Sequence, residues 1–421
     1  YQIKILDHLN KDCSIGLASN IKTVKGENFC IEKDSQGNDR CIRLLSWING
    51  RLWSSVNPIK KELRVELGSK TAILSQSLEK FKHPYSNRKI DWDLSNSLWV
   101  EEYLENFDID KKIILENFIK KFKKNLSKYN NLKRSIIHND INDNNIILSN
   151  DIINPKIKSI IDFGDSVHST KINDLAISCS YGMMNLDDPL EGCCEIISGY
   201  NKFVSISDKE LSLLYNLIGM RLVISVTKSF INRDKEPDNK YLQISEKPAW
   251  NLLKNWSEIA SEYAYYSFRK ACNLDAHPNK KKFSKWIRSK KFYVKDLFPK
   301  LQKDKFFKID LSVGSEWIGG RNEIEDLDIF QFKIEKLQKE QTKKIIAGGY
   351  LEPRSIYTSD TYEKIGNYGT ENRTIHLGLD FWLPPGTKVS AIFDGEVVTA
   401  VNDKGHKEYG GLVILKHRIE D

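Results

Sequence analysis

The first apolar positions, Ile3, Leu6 and Leu9, recur at the three-residue spacing of an amphipathic helix. The pattern then changes to alternation. Residues 28–33 and 40–48 read as strands, and the turn-forming run Asp34-Ser35-Gln36-Gly37-Asn38 between them predicts a hairpin. Beyond Asn49-Gly50 helical spacing returns from about Pro58, a residue suited to a first helical turn, and helix dominates to about residue 300. One strand-and-loop island at 135–165 interrupts it. Residues 300–345 are charged and helical, clearest over Glu323–Lys344, and predict a connector. After Gly348-Gly349 the texture becomes short strands punctuated by Gly and Pro, ending in Leu412-Val413-Ile414-Leu415, which predicts an all-β unit. Both chain ends fall inside patterned stretches, so the expectation is a piece of a longer protein.

Length and composition narrow the class. At about 150 residues per domain, 421 residues predict two or three folded units. Hydrophobic residues at 40% and aromatics at 10% supply real cores and exclude wholesale disorder. No uninterrupted apolar run approaches the roughly 18 residues of a membrane span, and no charged-then-apolar leader opens the chain, so no membrane partner is expected. Lys plus Arg number 65 against 57 Asp plus Glu, a net +8, but the excess is scattered; only short runs such as Lys280–Lys282 and Lys290-Lys291 are basic, and no nucleic-acid partner is expected. Seven cysteines without a CxxC spacing fit neither a disulfide framework nor a thiolate zinc site, and point to a reducing cytoplasm.

The island carries the chemistry. It reads His138-Asn139-Asp140-Ile141-Asn142-Asp143-Asn144-Asn145, then a strand pair, then Asp162-Phe163-Gly164-Asp165. Phosphoryl transfer needs a carboxylate at the acceptor hydroxyl and oxygen ligands that hold magnesium against the nucleotide phosphates. Asp140 suits the first role, as base or orienting group. Asn145 and Asp162 suit the second, because the strand pair 146–148 and 157–161 returns Asp162 to the edge the loop occupies. Asp143 and Asp165 add negative charge that could hold an ammonium group, with loop capping or metal support as the alternative.

These residues resemble the aminoglycoside phosphotransferase and choline kinase superfamily, whose usual motif is His-Gly-Asp-x-x-x-x-Asn; Asn139 stands where glycine is expected. Arg43–Gly50 resembles the family's hinge strand. Asp174-Leu175-Ala176 resembles the aspartate that braces the catalytic loop, which gives Asp174, with His138, a structural role. Asp91-Trp92-Asp93-Leu94 and the two motifs look most like the hydroxylysine kinases, over about residues 1–275. The resemblance implies an α+β, protein-kinase-like fold with an incomplete N-lobe and a mostly helical C-lobe. It also implies ATP or GTP with Mg as cofactors, and transfer to the hydroxyl of a small cationic amino alcohol, 5-hydroxylysine first. The family's Gly-rich phosphate loop and strand lysine would precede Tyr1, so residues 1–421 alone are expected to transfer phosphate poorly.

A second constellation lies in Arg373-Thr374-Ile375-His376-Leu377-Gly378-Leu379-Asp380, followed by Pro385-Gly386-Thr387 and Asp394-Gly395-Glu396-Val397. In an extended strand His376 and Asp380 share a face and could share a zinc ion, although a catalytic zinc needs a third protein ligand. This segment resembles the lysostaphin-type zinc endopeptidases. The resemblance implies that His376 and Asp380 are two ligands of a zinc site whose third comes from a later His-x-His; His406 and His417 stand too far apart to form it, and neither takes a ligand role. The predicted organisation is thus a kinase domain over 1–300, a connector over 301–344 and an incomplete peptidase-like β domain over 345–421. The same order is similar to fusions that continue into a pyridoxal-phosphate class III aminotransferase, so pyridoxal phosphate is expected only if such a unit follows. The leading expectation is a kinase. Zinc-dependent peptide hydrolysis and a non-catalytic scaffold or sensor are the alternatives.

Overall fold

The structure, a computed structural model, describes residues 1–235, 246–301, 305–358, 360–405 and 407–419. The chain divides into two compact units, Tyr1–Lys280 and Lys281–Asp421.

The first unit opens with helix α1 (Gln2–Asp12), whose Ile5, Leu6 and Leu9 are buried. The predicted hairpin is present as β1 (Cys30–Lys33) paired with β2 (Asp39–Ile42). Asp34 shapes its turn, accepting from the N–H groups of Gln36 and Asn38, both at 2.9 Å. Leu44–Leu45, expected to continue the second strand, pairs instead with Asn20–Ile21.

Helices build most of the core: α2 (Lys61–Glu79), α3 (Ile109–Asn130), α4 (Asn173–Gly182), α5 (Pro189–Asn201), α6 (Asp208–Lys235), α7 (Glu246–Glu258) and α8 (Ser261–Ala271). Helices α2 and α5 touch backbone to backbone. A Cβ on Gly68 would stand 1.8 Å from the Ile196 carbonyl oxygen, and one on Gly199 would stand 1.9 Å from that of Val65. Only glycine permits this approach. The buried ion pair Arg64–Glu195, at 2.6 Å, crosses the same interface.

Helix α6 is buried all round over Leu213–Thr227 because it is wrapped by neighbours rather than laid on a surface. Its stretch Asp208–Arg233 is long and apolar enough to cross a membrane by length and composition, which the absence of an uninterrupted apolar run had not suggested. The most apolar 18-residue window of that stretch is 89% buried inside the protein, as in the core helix of a folded domain.

Two small sheets frame the loop 138–145. β3 (Arg51–Leu52), β4 (Arg134–Ile137), β5 (Ile146–Leu148), β6 (Ile157–Ile160) and β7 (Val167–Thr170) pair as β3-β5-β6 and β4-β7, all antiparallel. In the β5-β6 pair Ile146 faces Ile160, so the segments after β4 and after β6 emerge at one edge.

In the second unit the elements among the described residues from 345 onward are strands and short 3-10 turns. Residues 301–344, expected as a connector, are built into this unit instead. β8 (Lys305–Lys308) pairs in parallel with β9 (Lys344–Ala347), which pairs antiparallel with Phe381–Trp382. Helix α9 (Leu327–Glu340) buries Ile334 and Leu337 against Ile309, Leu311, Ile318 and Ile346. Only Ile334 and Leu337 of this helix are buried, while its many charged residues lie outside, which is why it reads as a linker in sequence. The division accordingly falls near residue 280 rather than 300.

Candidate active site

The loop between β4 and β5 is fixed from beneath by a buried carboxylate. Asp174, at the start of α4, accepts the N–H of His138 at 2.9 Å and that of Asn139 at 2.8 Å. Burial pushes its pKa up, while these two N–H groups pull it down. Asn139, at the position where the resemblance predicted glycine, takes the left-handed conformation with φ +69°. The substitution has a cost, because Asn139 is buried and neither its Oδ1 nor its Nδ2 has a hydrogen-bond partner among the described residues.

His138 ties the two halves of the site together. Its Nδ1 accepts the Asp140 N–H at 3.2 Å and its Nε2 lies 3.0 Å from the Ile161 carbonyl, a pair of contacts that requires the neutral Nε2–H tautomer. Its ring packs on Phe163, with centroids 4.6 Å apart. The Ile161 N–H also donates to the Asn145 carbonyl at 2.9 Å, so Asp162 follows directly from the backbone that faces Asn145.

Asp140 has every carboxylate oxygen engaged. Oδ2 accepts from the side-chain amides of Asn142 and Asn145, both at 2.9 Å, and Oδ1 accepts from Arg221 Nη2 at 2.6 Å. Asn145 Nδ2 also donates to the Asp140 carbonyl at 2.9 Å. Its Oδ1 takes part in none of the hydrogen bonds found among the described residues. Asp162 stands at φ +62°, and its Oδ1 accepts the Gly164 N–H at 2.9 Å. An amide oxygen and a carboxylate at one sheet edge form a hard-oxygen donor pair that fits magnesium held jointly with phosphate oxygens.

The remaining carboxylates differ in situation. Asn142, not Asp143, caps the turn: its Oδ1 accepts from the N–H groups of Asn144 and Asn145, at 2.9 and 3.1 Å. Asp143 Oδ1 is buried without a hydrogen-bond partner among the described residues, and burial first, then the Asp140 charge, raises its pKa. Asp165 is raised by burial and by Asp140, against a lowering influence from Arg221.

Two arginines were not visible as site residues in the sequence. Arg88 donates to the carbonyls of Gly164 and Ser166, the latter at 2.8 Å through Nη2, and so grips the turn after Asp162. Arg221 comes from the middle of α6, 81 residues beyond Asp140. No local spacing announces either; both act through tertiary contacts.

In the second unit His376 and Asp380 are brought together, with Nε2 3.3 Å from Oδ1, but they are not arranged as metal ligands. The other Asp380 oxygen pairs with Arg354 Nη2 at 2.7 Å, and Arg354 Nε donates to Glu352 at 2.8 Å. The guanidinium already supplies the positive charge beside Asp380. Among the described residues no group of three His, Cys, Asp or Glu could hold a metal. His417 Nδ1 lies 3.0 Å from the Asp394 carbonyl, and His406 lies outside the described residues. Among the described residues, then, His376 and Asp380 have no third donor beside them that would complete a zinc site.

A loop with the order His138, Asp140, Asn145, braced by Asp174 and followed by Asp162 across a strand pair, defines a kinase-type phosphotransferase. Residues 15–192 match the phosphotransferase enzyme family, so the first unit carries a domain of that family. The chain is 26% identical over 268 residues to the hydroxylysine kinase of Mus musculus, covering 57% of this chain and 71% of the relative. It is 25% identical to the hydroxylysine kinase of Bos taurus over the same length and shares, and 25% identical over 270 residues to that of Xenopus laevis, covering 59% and 72%. Among solved structures, a microcompartment-associated aminopropanol kinase matches with TM-score 0.48 at 14% identity, covering 66% of this chain and 82% of that one. An amicoumacin kinase in complex with AMP-PNP, Ca2+ and its ligand matches with TM-score 0.46 at 14% identity, covering 62% and 79%.

Proposed function

We propose that the first unit moves the γ-phosphoryl group of ATP or GTP to the hydroxyl of a small amino alcohol, with 5-hydroxylysine the first candidate. The observation that carries this reading is the fixed Asp140 carboxylate, set on a backbone that Asp174 and His138 hold rigid. The relatives named hydroxylysine kinases support the choice of acceptor.

In the reaction the bond from the γ-phosphorus to the bridging oxygen breaks and one to the acceptor oxygen forms; the acceptor proton leaves toward Asp140. Asp140 orients the hydroxyl for in-line attack. Asn145 and Asp162 would hold magnesium, which when bound neutralises charge on the phosphate oxygens. Asp143 and Asp165 place negative potential beside the acceptor, suited to an ammonium group. A nucleotide donor puts the reaction in the cytoplasm.

The test is nucleotide consumption by the full-length protein with magnesium across hydroxylysine, ethanolamine, choline and an aminoglycoside. Consumption that depends on hydroxylysine and falls about 10²- to 10⁴-fold in Asp140→Asn is the expected result. Turnover unchanged by that substitution would sink the assignment of Asp140, and silence with every acceptor would sink the phosphotransferase reading.

A further inference from the structure

Arg221 is the one charged residue in the buried middle of α6, Leu213–Thr227, and its side chain is 1% exposed. A guanidinium in that setting is expensive: burial opposes its charge, and its Nε is buried with no hydrogen-bond partner among the described residues. A buried ion pair replaced as a whole by apolar residues of similar volume often costs no stability, so the fold alone does not call for one here. What the arginine gains is contact with the site. One Nη2 contact reaches Asp140 Oδ1 at 2.6 Å, and Nη1 donates to the Trp92 carbonyl at 3.1 Å.

The guanidinium is itself held in place. It lies over the Trp92 ring at 4.9 Å and the Tyr181 ring at 5.4 Å, and Tyr181 is anchored in turn by a 2.9 Å hydrogen bond between its hydroxyl and Ser225. Trp92, Tyr181 and Ser225 thus fix a planar fork aimed at one carboxylate oxygen, while Asn142 and Asn145 fix the other. A carboxylate clamped at both oxygens cannot rotate.

We propose that Arg221 is a positioning residue for phosphoryl transfer, which locks the rotamer of Asp140 so that its carboxylate meets the acceptor hydroxyl in line. The inference rests on the reading of Asp140 given above and adds a residue that acts through its contact with Asp140. Lysine reproduces the charge but not the fork that reaches Asp140 and the Trp92 carbonyl together.

The experiment compares wild type, Arg221→Met, Arg221→Gln and Arg221→Lys in the full-length protein, by steady-state kinetics with hydroxylysine and Mg-ATP, by thermal unfolding and by crystallography. Positioning predicts that kcat falls about 100-fold in the Met and Gln variants and recovers in part in the Lys variant. KM for ATP stays within about twofold, because the nucleotide contacts are untouched. In the Arg221→Met crystal structure Asp140 leaves its wild-type rotamer. If the Met variant fails to fold, the Gln variant gives the same readouts. Wild-type kcat in either variant, or an Asp140 rotamer unchanged by the substitution, overturns the inference. A wild-type protein inactive with every acceptor would count against the proposed function instead, and the crystallographic comparison would then decide on Arg221 by itself.

Discussion

Replacing Asp174 with Asn tests whether the catalytic loop is held from below. The carboxylate accepts two buried N–H groups, from His138 at 2.9 Å and Asn139 at 2.8 Å. A hydrogen bond to a charged group contributes about 1.5–3 kcal/mol. Asparagine keeps one acceptor oxygen and turns an NH2 toward the other N–H, so one bond is lost and the survivor is weakened. Against this, burial raises the pKa of Asp174, and neutral Asn avoids that desolvation cost. The balance is a loss of about 2 kcal/mol, a large fraction of the roughly 5–15 kcal/mol that holds a domain. At roughly 2–4 °C per kcal/mol for a unit of this size, Tm falls by about 4–8 °C. Because His138 and Asn139 lead directly into Asp140, turnover should fall at least about tenfold as well. Calorimetry and nucleotide-consumption assays on the purified variant measure both. A variant with unchanged or raised Tm would refute the claim that these two bonds outweigh the buried charge, and unchanged turnover would refute the coupling of brace to loop.

Two further predictions concern stability. Asn139→Gly should raise Tm by about 2–4 °C, because glycine accepts φ +69° without strain and removes a buried amide that has no partner among the described residues; a lowered Tm would mean that the packing of the Asn139 side chain outweighs both effects. Glu79, at the end of α2, pairs with Lys133 and, at 2.6 Å, with the buried Lys171, and the hydrogen bonds from these lysines, Lys133 first, depress its pKa below the ordinary 4.5. A depressed folded-state pKa contributes stability that is present above the unfolded value and lost as pH falls through the folded one. Glu79→Gln should therefore lower Tm at pH 7, modestly because the carboxylate is one-third exposed, and the difference from wild type should shrink below about pH 4.5. A difference constant from pH 7 to about pH 3 would contradict the ion-pair account.

What the sequence determined by itself was chemistry written over short distances. The spacing from Asp140 to Asn145, the strand pair and Asp162 is legible because a tight loop and a two-strand ladder leave few places for those side chains to go, and β5 and β6 pair as that spacing requires. The hairpin around Asp34 is legible for the same reason, since Asp, Gly and Asn select their own turn. The tertiary structure alone decided the rest. Arg221 reaches Asp140 from a helix whose texture is that of plain core, and Arg88 grips the Gly164–Ser166 turn from 76 residues away or more. The 301–344 segment looked like a linker because it is rich in charge, and which of the apolar residues of α9 are buried is decided only once it packs with Ile309, Leu311, Ile318 and Ile346. His376 and Asp380 meet because the chain bends between the short strands Ile375–His376 and Phe381–Trp382, not because one extended strand aligns them, and Arg354, just after the strand Glu352–Pro353, pairs with the same Asp380. Local backbone geometry fixes partners within a few residues. Which distant side chain arrives at a buried carboxylate is settled only by how the helices and sheets pack, because that packing determines which charges are removed from water together.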